Sequence, residues 1–458
     1  MKPTSITGAK VAFGETHLQS LAARVLAFAR GMDAQVTVMA HTSHLTRFAN
    51  NQVHQHMCEQ DLSVEVEVAV EGRLALCRTN DTSESGLRQL IAQVRHLALV
   101  QPPDPHFPGF AKAAVYARPA ALKQTTLAFS PQDRANVVKH VCGGAERVGL
   151  VASGAFATGL HEVAIANHHG LWAYHAHTLA DFNTVVMSDD SSGWAAVTDL
   201  DASLVCKEAL AEEAIDKALR SRRPVSLEPG HYTVILEEYA VLDLLQYLGM
   251  GANAQRVLEG RSFMARGTAT PVLHPGISIW DDGLDPTGIP IPFDAEGMPR
   301  QKVQLVDAGR ILAPVTDRRS AERLGCSSSG HRSRGSEFFG SGPQAANLFM
   351  APGTHSKQAM LESTERGIWV TRFHYCNQLD TKQTLLTGMT RDGTFLIEDG
   401  RLTKPLQNMR FTHRITDALQ RVDLIGNTTK LERNYFDGGN RAPALRIHDF
   451  RFSGRTTF

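Results

Sequence analysis

The sequence predicts an α+β protein in two parts: an N-terminal α/β domain over residues 1–222, with a mixed sheet and flanking helices, and a mainly antiparallel β domain over 223–458. Three observations lead there. LSVEVEVAV, Leu62 to Val70, alternates apolar and polar residues strictly, as a half-buried strand does. THLQSLAARVLAFARG, Thr16 to Gly31, repeats apolar residues every three or four positions, the period of a helix with one buried face. Beyond the punctuated stretch SRRPVSLEPG, Ser221 to Gly230, helical periods become scarce and Gly-bounded strands dominate.

Taken in order, the first helix ends at Gly31, a plausible C-cap residue. Strands follow, and Glu71-Gly72 turns LSVEVEVAV back into RLALC as a hairpin. A second helix covers ESGLRQLIAQVRHLAL, and the Pro-rich VQPPDPHFPGF is an extended connector. The plan then repeats: a helix near PQDRANVVKHVCGGAERVG, strands through LHEVAIANHHGLWAYHAHTLADFNTVVMS with a turn at His169-Gly170, and a long helix from roughly Ala202 to Arg220. In the second part, VQLVDAGRILAPV and TFLIEDGRLTKPL both read as strand, acidic turn with Gly-Arg, strand. The segment after Glu238 is the main helical exception.

Composition narrows the function. With 458 residues, 42% hydrophobic and 21% charged, each part can bury its own core. Lys+Arg and Asp+Glu both number 47 and no long run of one sign occurs, so nothing favours a nucleic acid as partner. No run of about 18 apolar residues exists to span a membrane. MKPTSITGAKVAFG lacks the apolar centre of a signal peptide, so a cytoplasmic location is expected. The six cysteines are dispersed without a C-x-x-C pair, which fits neither a disulfide framework nor a zinc knuckle.

Candidate metal ligands are few. His161-Glu162 lacks a second histidine four residues on, and its segment reads as a strand, so the spacing fails for a zinc helix. His175 and His177 share one strand face, as do His374 and Cys376 in RFHYCN, but no third ligand is evident for either pair. DRRSAERLGCSSSGHRSRGSE, Asp317 to Glu337, reads as a basic, Ser/Gly-rich loop.

RFANNQVHQ, LEPGHYTVILEEYAVLDLLQYLG, EGRSF and above all VTRFHYCNQLDTKQTLLTGMTRDGTFLIEDGRL resemble the TldD/PmbA family, in its PmbA (TldE) branch, nearly along the whole chain. The resemblance implies a cytoplasmic TldD–TldE heterodimeric protease that trims unfolded peptides. In it the TldD-type subunit binds zinc through an HExxxH helix and a C-terminal cysteine. In this chain Glu237 stands at the first histidine position, Glu238 at the catalytic glutamate and Leu242 at the second histidine, and NYFDG, Asn434 to Gly438, carries no cysteine. The expectation is a non-catalytic TldE-like subunit with no metal or cofactor of its own. Its partner would be a zinc-bearing TldD-type protease subunit and its substrate an unfolded peptide, with no nucleic acid or membrane involved. Alternation sets Arg372, His374 and Cys376 on one face of their strand and Phe373, Tyr375 and Asn377 on the other. Arg261, Ser262, Phe263, Arg372, His374, Tyr375 and Asn377 are the peptide-cleft candidates, through strand addition. The alternatives are an active metallopeptidase with atypical ligands such as His374 and Cys376, or a stand-alone peptide-binding homodimer.

Overall fold

The structure is a computed structural model that describes residues 13–267, 271–336, 340–436 and 438–456. Most of the stretch read for a signal peptide, Glu337 of the basic loop and Asp437 of NYFDG lie outside the described residues.

The N-terminal part holds β1 (Asp33–Ala49), β2 (Gln52–Val70), β3 (Arg73–Thr79), β4 (Val151–Asn167), β5 (Trp172–Met187) and β6 (Ser192–Asp199). They form one sheet in the order β3-β2-β1-β4-β5-β6, antiparallel at every pairing. Its helices are α1 (Glu15–Phe28), α2 (Glu84–Val100), the short α3 (Gln124–Leu127), α4 (Pro131–Arg147) and α5 (Lys207–Arg220). Two cores result. Leu18, Val25, Leu87 and Val94 of α1 and α2 meet Val36, Val38, Val64 and Val66, and Val138, Val141 and Ala214 of α4 and α5 meet Phe156 and Phe182. The helices start where side chains satisfy their free N–H groups: Ser83 caps α2, and Ser130 with Asp133 forms a capping box on α4. The helix expected from Ala202 begins only at Lys207. Asp201 instead holds Ala202–Leu204 in a 3₁₀ turn by accepting from the Ser203 N–H.

The C-terminal part is built on one large sheet. It contains β7 (Gly230–Leu236), β8 (Ile279–Asp281), β9 (Val303–Asp307), β10 (Arg310–Ile311), β13 (Leu348–Met350), β14 (Arg366–Asp380), β15 (Leu385–Glu398), β16 (Arg401–Pro405), β17 (Met409–Arg414), β18 (Val422–Arg433) and β19 (Gly439–Arg455). A separate ribbon pairs β11 (Arg332–Ser336) with β12 (Gly340–Pro343). The α+β class holds, and the mixed pairing lies in this sheet: β7 runs parallel to β14, and β13 to β19, among otherwise antiparallel neighbours. Both strand–Gly-Arg–strand segments form hairpins, with Gly309 and Gly400 at positive φ in the turns. Helix α6 (Glu238–Gly251) packs Val241, Leu244, Leu245 and Leu248 against Leu236, Ile368, Val370 and Leu445 of the sheet. No helix among the described residues is long and apolar enough to cross a membrane.

Candidate functional site

Strand β7 lies between β14 and β19, so its end is held on both sides, and the chain turns there directly into α6. The turn residue is Glu237, whose N–H donates to the Val370 carbonyl at 2.9 Å. Glu237 and Glu238 are thereby set side by side at the edge of the core, 2% and 1% exposed. Buried carboxylates persist only when paired, and both are. Glu237 Oε1 accepts from Trp369 Nε1 at 2.6 Å and from Thr371 Oγ1 at 3.3 Å, and its Oε2 from Lys217 Nζ at 2.8 Å. Glu238 Oε2 accepts from Lys357 Nζ at 2.9 Å and its Oε1 from Thr428 Oγ1 at 3.2 Å.

The network extends to the N-terminal part. Lys217 also binds Glu213 one turn earlier on α5, and Lys430 of β18 reaches Glu213 at 2.9 Å and Tyr239 Oη at 2.5 Å. Burial alone would raise the Glu213 carboxyl, but the Lys217 and Lys430 ammonium groups hold it down at about 2. Burial would lower Lys217 and Lys357; the carboxylates of Glu237 and Glu213 keep the first above its usual range, and those of Glu237 and Glu238 the second.

A zinc ion at these positions would need free lone pairs converging on one point. Every oxygen of Glu237 and Glu238 already accepts a hydrogen bond, Leu242 is 3% exposed in the apolar core, and two ammonium groups occupy the polar space. The residues do not fit the metal. Among the described residues, no group of three or more His, Cys, Asp or Glu side chains is placed to hold one. His161, His177 and His175 stack with ring centroids 5.1 and 5.5 Å apart and planes within 23°. Nearly parallel rings send their nitrogen lone pairs along parallel planes rather than to a common centre. Glu162 instead anchors the start of α1, accepting from the N–H groups of Phe13 and Gly14 at 2.8 Å each.

The peptide-cleft candidates separate. Ser262 and Phe263 are turned into the core, Ser262 donating to the Gly251 carbonyl, while Arg261 is exposed beside Glu259. Arg372, on β14, is paired with Asp392 at 2.5 Å and lies 4.0 Å over the Trp194 ring of β6, so it spans both parts of the molecule. Strict alternation along this strand breaks at Tyr375, which has φ 51° at a bulge between His374 and Asn377. Cys376 therefore turns toward the core with Phe373, away from the face assigned to it with His374, while Tyr375 and Asn377 are exposed. Burial, then Asp243, pushes the Cys376 thiol far up, which leaves it a poor nucleophile or ligand.

Sequence reasoning missed Asp243, one turn after Tyr239 on α6. Burial pushes its carboxyl up to about 7, opposed by Arg372 and by the Phe373 N–H. The surrounding protein, then Asp243 and Asp181, push Glu432 of β18 up to about 8, although its side chain reaches solvent. These three carboxylates and Arg372 line the seam between the two sheets, with Tyr247 Oη tied to the Cys376 carbonyl at 2.6 Å. A signal was available, since Asp243 is the lone charge within the apolar run Tyr239–Met250.

A strand running into a helix that opens with two buried, lysine-paired carboxylates, backed by β-rich layers, is the frame of the site. Residues 229–454 match the model of the PmbA/TldA metallopeptidase C-terminal domain, and residues 120–222 that of its central domain. The chain belongs to the PmbA/TldD family. It is 24% identical over 228 residues to a protein of Methanothermobacter thermautotrophicus described as a metalloprotease, 49% of either chain. It is 24% identical over 255 residues to the metalloprotease TldD homolog of Haemophilus influenzae, 53% of this chain and 52% of that one. The chain spans about half the length of the curated relatives it matches. TldE of Thermococcus kodakarensis shares the fold, with a TM-score of 0.86 at 17% identity over 95% of this chain and 100% of that one.

Proposed function

We propose that this chain is a non-catalytic, TldE-like subunit that completes the peptide channel of a TldD-type zinc protease. One observation carries the reading: the two carboxylates at the motif positions are each bonded to a lysine ammonium, so the positive charge a dication would supply is already in place. A glutamate without a metal-bound water has no comparable nucleophile to activate. Residues 1–222 and 223–458 are its two domains, the partner carries the zinc, the substrate is an unfolded peptide, and the location is cytoplasmic. The exposed Tyr375 and Asn377 at the β14 bulge offer backbone and side chain for an extended peptide.

The test is a peptidase assay on an unfolded peptide with this chain alone, with a cognate TldD-type subunit, and with that subunit alone, alongside elemental analysis of each. Cleavage is expected only when the zinc-bearing subunit is present, and the purified chain should hold well under one zinc. Chelator-sensitive cleavage by this chain alone, with stoichiometric zinc surviving dialysis, would overturn the reading.

A further inference from the structure

The strict alternation of β2 leaves Glu65 and Glu67 on the face away from the α1–α2 core. That face is only partly open to solvent. The connector around 104–111 and C-terminal loops near 295, 318 and 332 flank it, bounding a partly open cavity of about 330 Å³. Its floor is built by register: Gln35 of β1 stands opposite Glu67 of β2, and Thr37 opposite Glu65.

The floor is rich in unused acceptors. Gln35 is 4% exposed; its Nε2 donates to the Ala295 carbonyl at 3.0 Å, and its Oε1 has no partner. Neither Glu65 nor Glu67 has a hydrogen bond or ion pair among the described residues. Burial raises both carboxyls, with Arg334 and Arg78 acting on Glu65, and Arg332 on Glu67, in the opposite direction from a distance. Arg334 lines the cavity too, and the other three arginines there have bonds elsewhere. Arg332 binds Asp317 at 3.1 Å, Arg319 binds Asp104 at 3.0 Å, and Arg318 donates to the carbonyls of Pro108 and Gly109. Gln35 Oε1 is a buried acceptor left without a donor, which is costly, and it stands beside two half-buried carboxylates, so this arrangement calls for an occupant that donates.

We propose that this cavity binds a small organic cation bearing a guanidinium or primary amine, held by Glu67, Glu65 and the Gln35 carbonyl oxygen. Adjacent strands about 4.8 Å apart space these acceptors for a forked donor rather than a point charge. The volume lies at the small end of ligand pockets, roughly 300–1,000 Å³, which suits one arginine-sized group. The site is separate from the Glu237–Lys217 network and does not depend on the subunit role proposed above.

Calorimetric titration of the full chain with agmatine, and separately with the blocked peptide acetyl-Gly-Arg-Gly-amide, tests the proposal. Saturable binding of at least one probe at a single site is expected. The variant Glu65→Gln/Glu67→Gln should weaken it by at least about tenfold, because charge-assisted hydrogen bonds are lost. Its circular dichroism and Tm should stay at or above the parental values, since neither carboxylate has a partner to lose. Gln35→Leu serves as a second, independent variant with the same expected direction. Binding of agmatine alone assigns the site to free cations, and equal binding of the peptide assigns it to basic side chains. Absence of saturable heat from either probe at millimolar concentration, or binding unchanged in both variants, overturns the proposal.

Discussion

Lys217 is the residue on which the buried carboxylate network turns. Its side chain is 11% exposed and that of Glu237 2%, so the pair is screened little by water. Removing one member of a buried pair leaves the other charge uncompensated, so Lys217→Met should destabilise the chain by about 3–5 kcal/mol. Adding Glu237→Gln should restore most of that loss, a coupling a double-mutant cycle in denaturant would read. Independent, additive losses would contradict the pairing. The same cluster sets a pH window. Folding depresses Glu213 from 4.5 to about 2, so the stability it lends is complete above 4.5 and drains away as pH falls toward 2. Folding raises Lys217 above 10.5, so its share is complete below 10.5 and is lost at higher pH. The Tm difference between the parent and Glu213→Gln should therefore be flat from pH 5 to 10 and shrink below 4.5.

At the scale of the element, α6 carries two opposed demands. Its apolar side anchors the sheet, while Asp243 sits in the seam with its carboxyl raised to about 7. An acid raised by folding binds its proton more tightly in the native state, so it costs stability progressively as pH climbs from its unfolded value toward 7. Asp243→Asn should thus leave Tm nearly unchanged near pH 3, raise it at pH 5 and raise it most at pH 8; a constant offset across that range would rule the carboxyl out as the cause. The helix also resists repair. Glu237→His/Leu242→His rebuilds an HExxxH pattern on paper, yet Leu242 lies in the core, and burying an imidazole there costs roughly 1–3 kcal/mol. Lys217 and Lys357 would stand beside any incoming cation. The variant should be less stable than the parent, bind zinc weakly at best, and cleave nothing when alone.

For the molecule as a whole, the seam between the sheets is the surface on which the proposed function rests. Arg372 crosses it to Trp194, and Lys430 and Tyr239 cross it to Glu213 and Ala196. If β14 borders the peptide channel, His374→Ala/Tyr375→Ala should lower the turnover of the assembled protease without changing assembly, measured by sizing chromatography alongside the peptidase assay. Unchanged turnover would remove β14 from the channel.

The sequence by itself determined the elements: period 2 in LSVEVEVAV, period 3.6 in THLQSLAARVLAFARG, and the Gly turns at 72, 170 and 400 follow from local sterics and side-chain spacing, and all reappear in the structure. It also made the absence of histidine at Glu237 and Leu242 legible, because residue identity is written position by position. Strand partners were not legible, since parallel β7–β14 and antiparallel β7–β19 pairing depend on segments more than 130 residues away. Nor was the break in alternation at Tyr375, where an exposed ring takes a left-handed backbone that only its ladder neighbours impose. Nothing in the sequence singles out Lys217, Lys357 and Lys430. Tertiary structure alone brought them to Glu237, Glu238 and Glu213, because a buried carboxylate selects its counter-charge by position in space, and chain order carries no record of that choice.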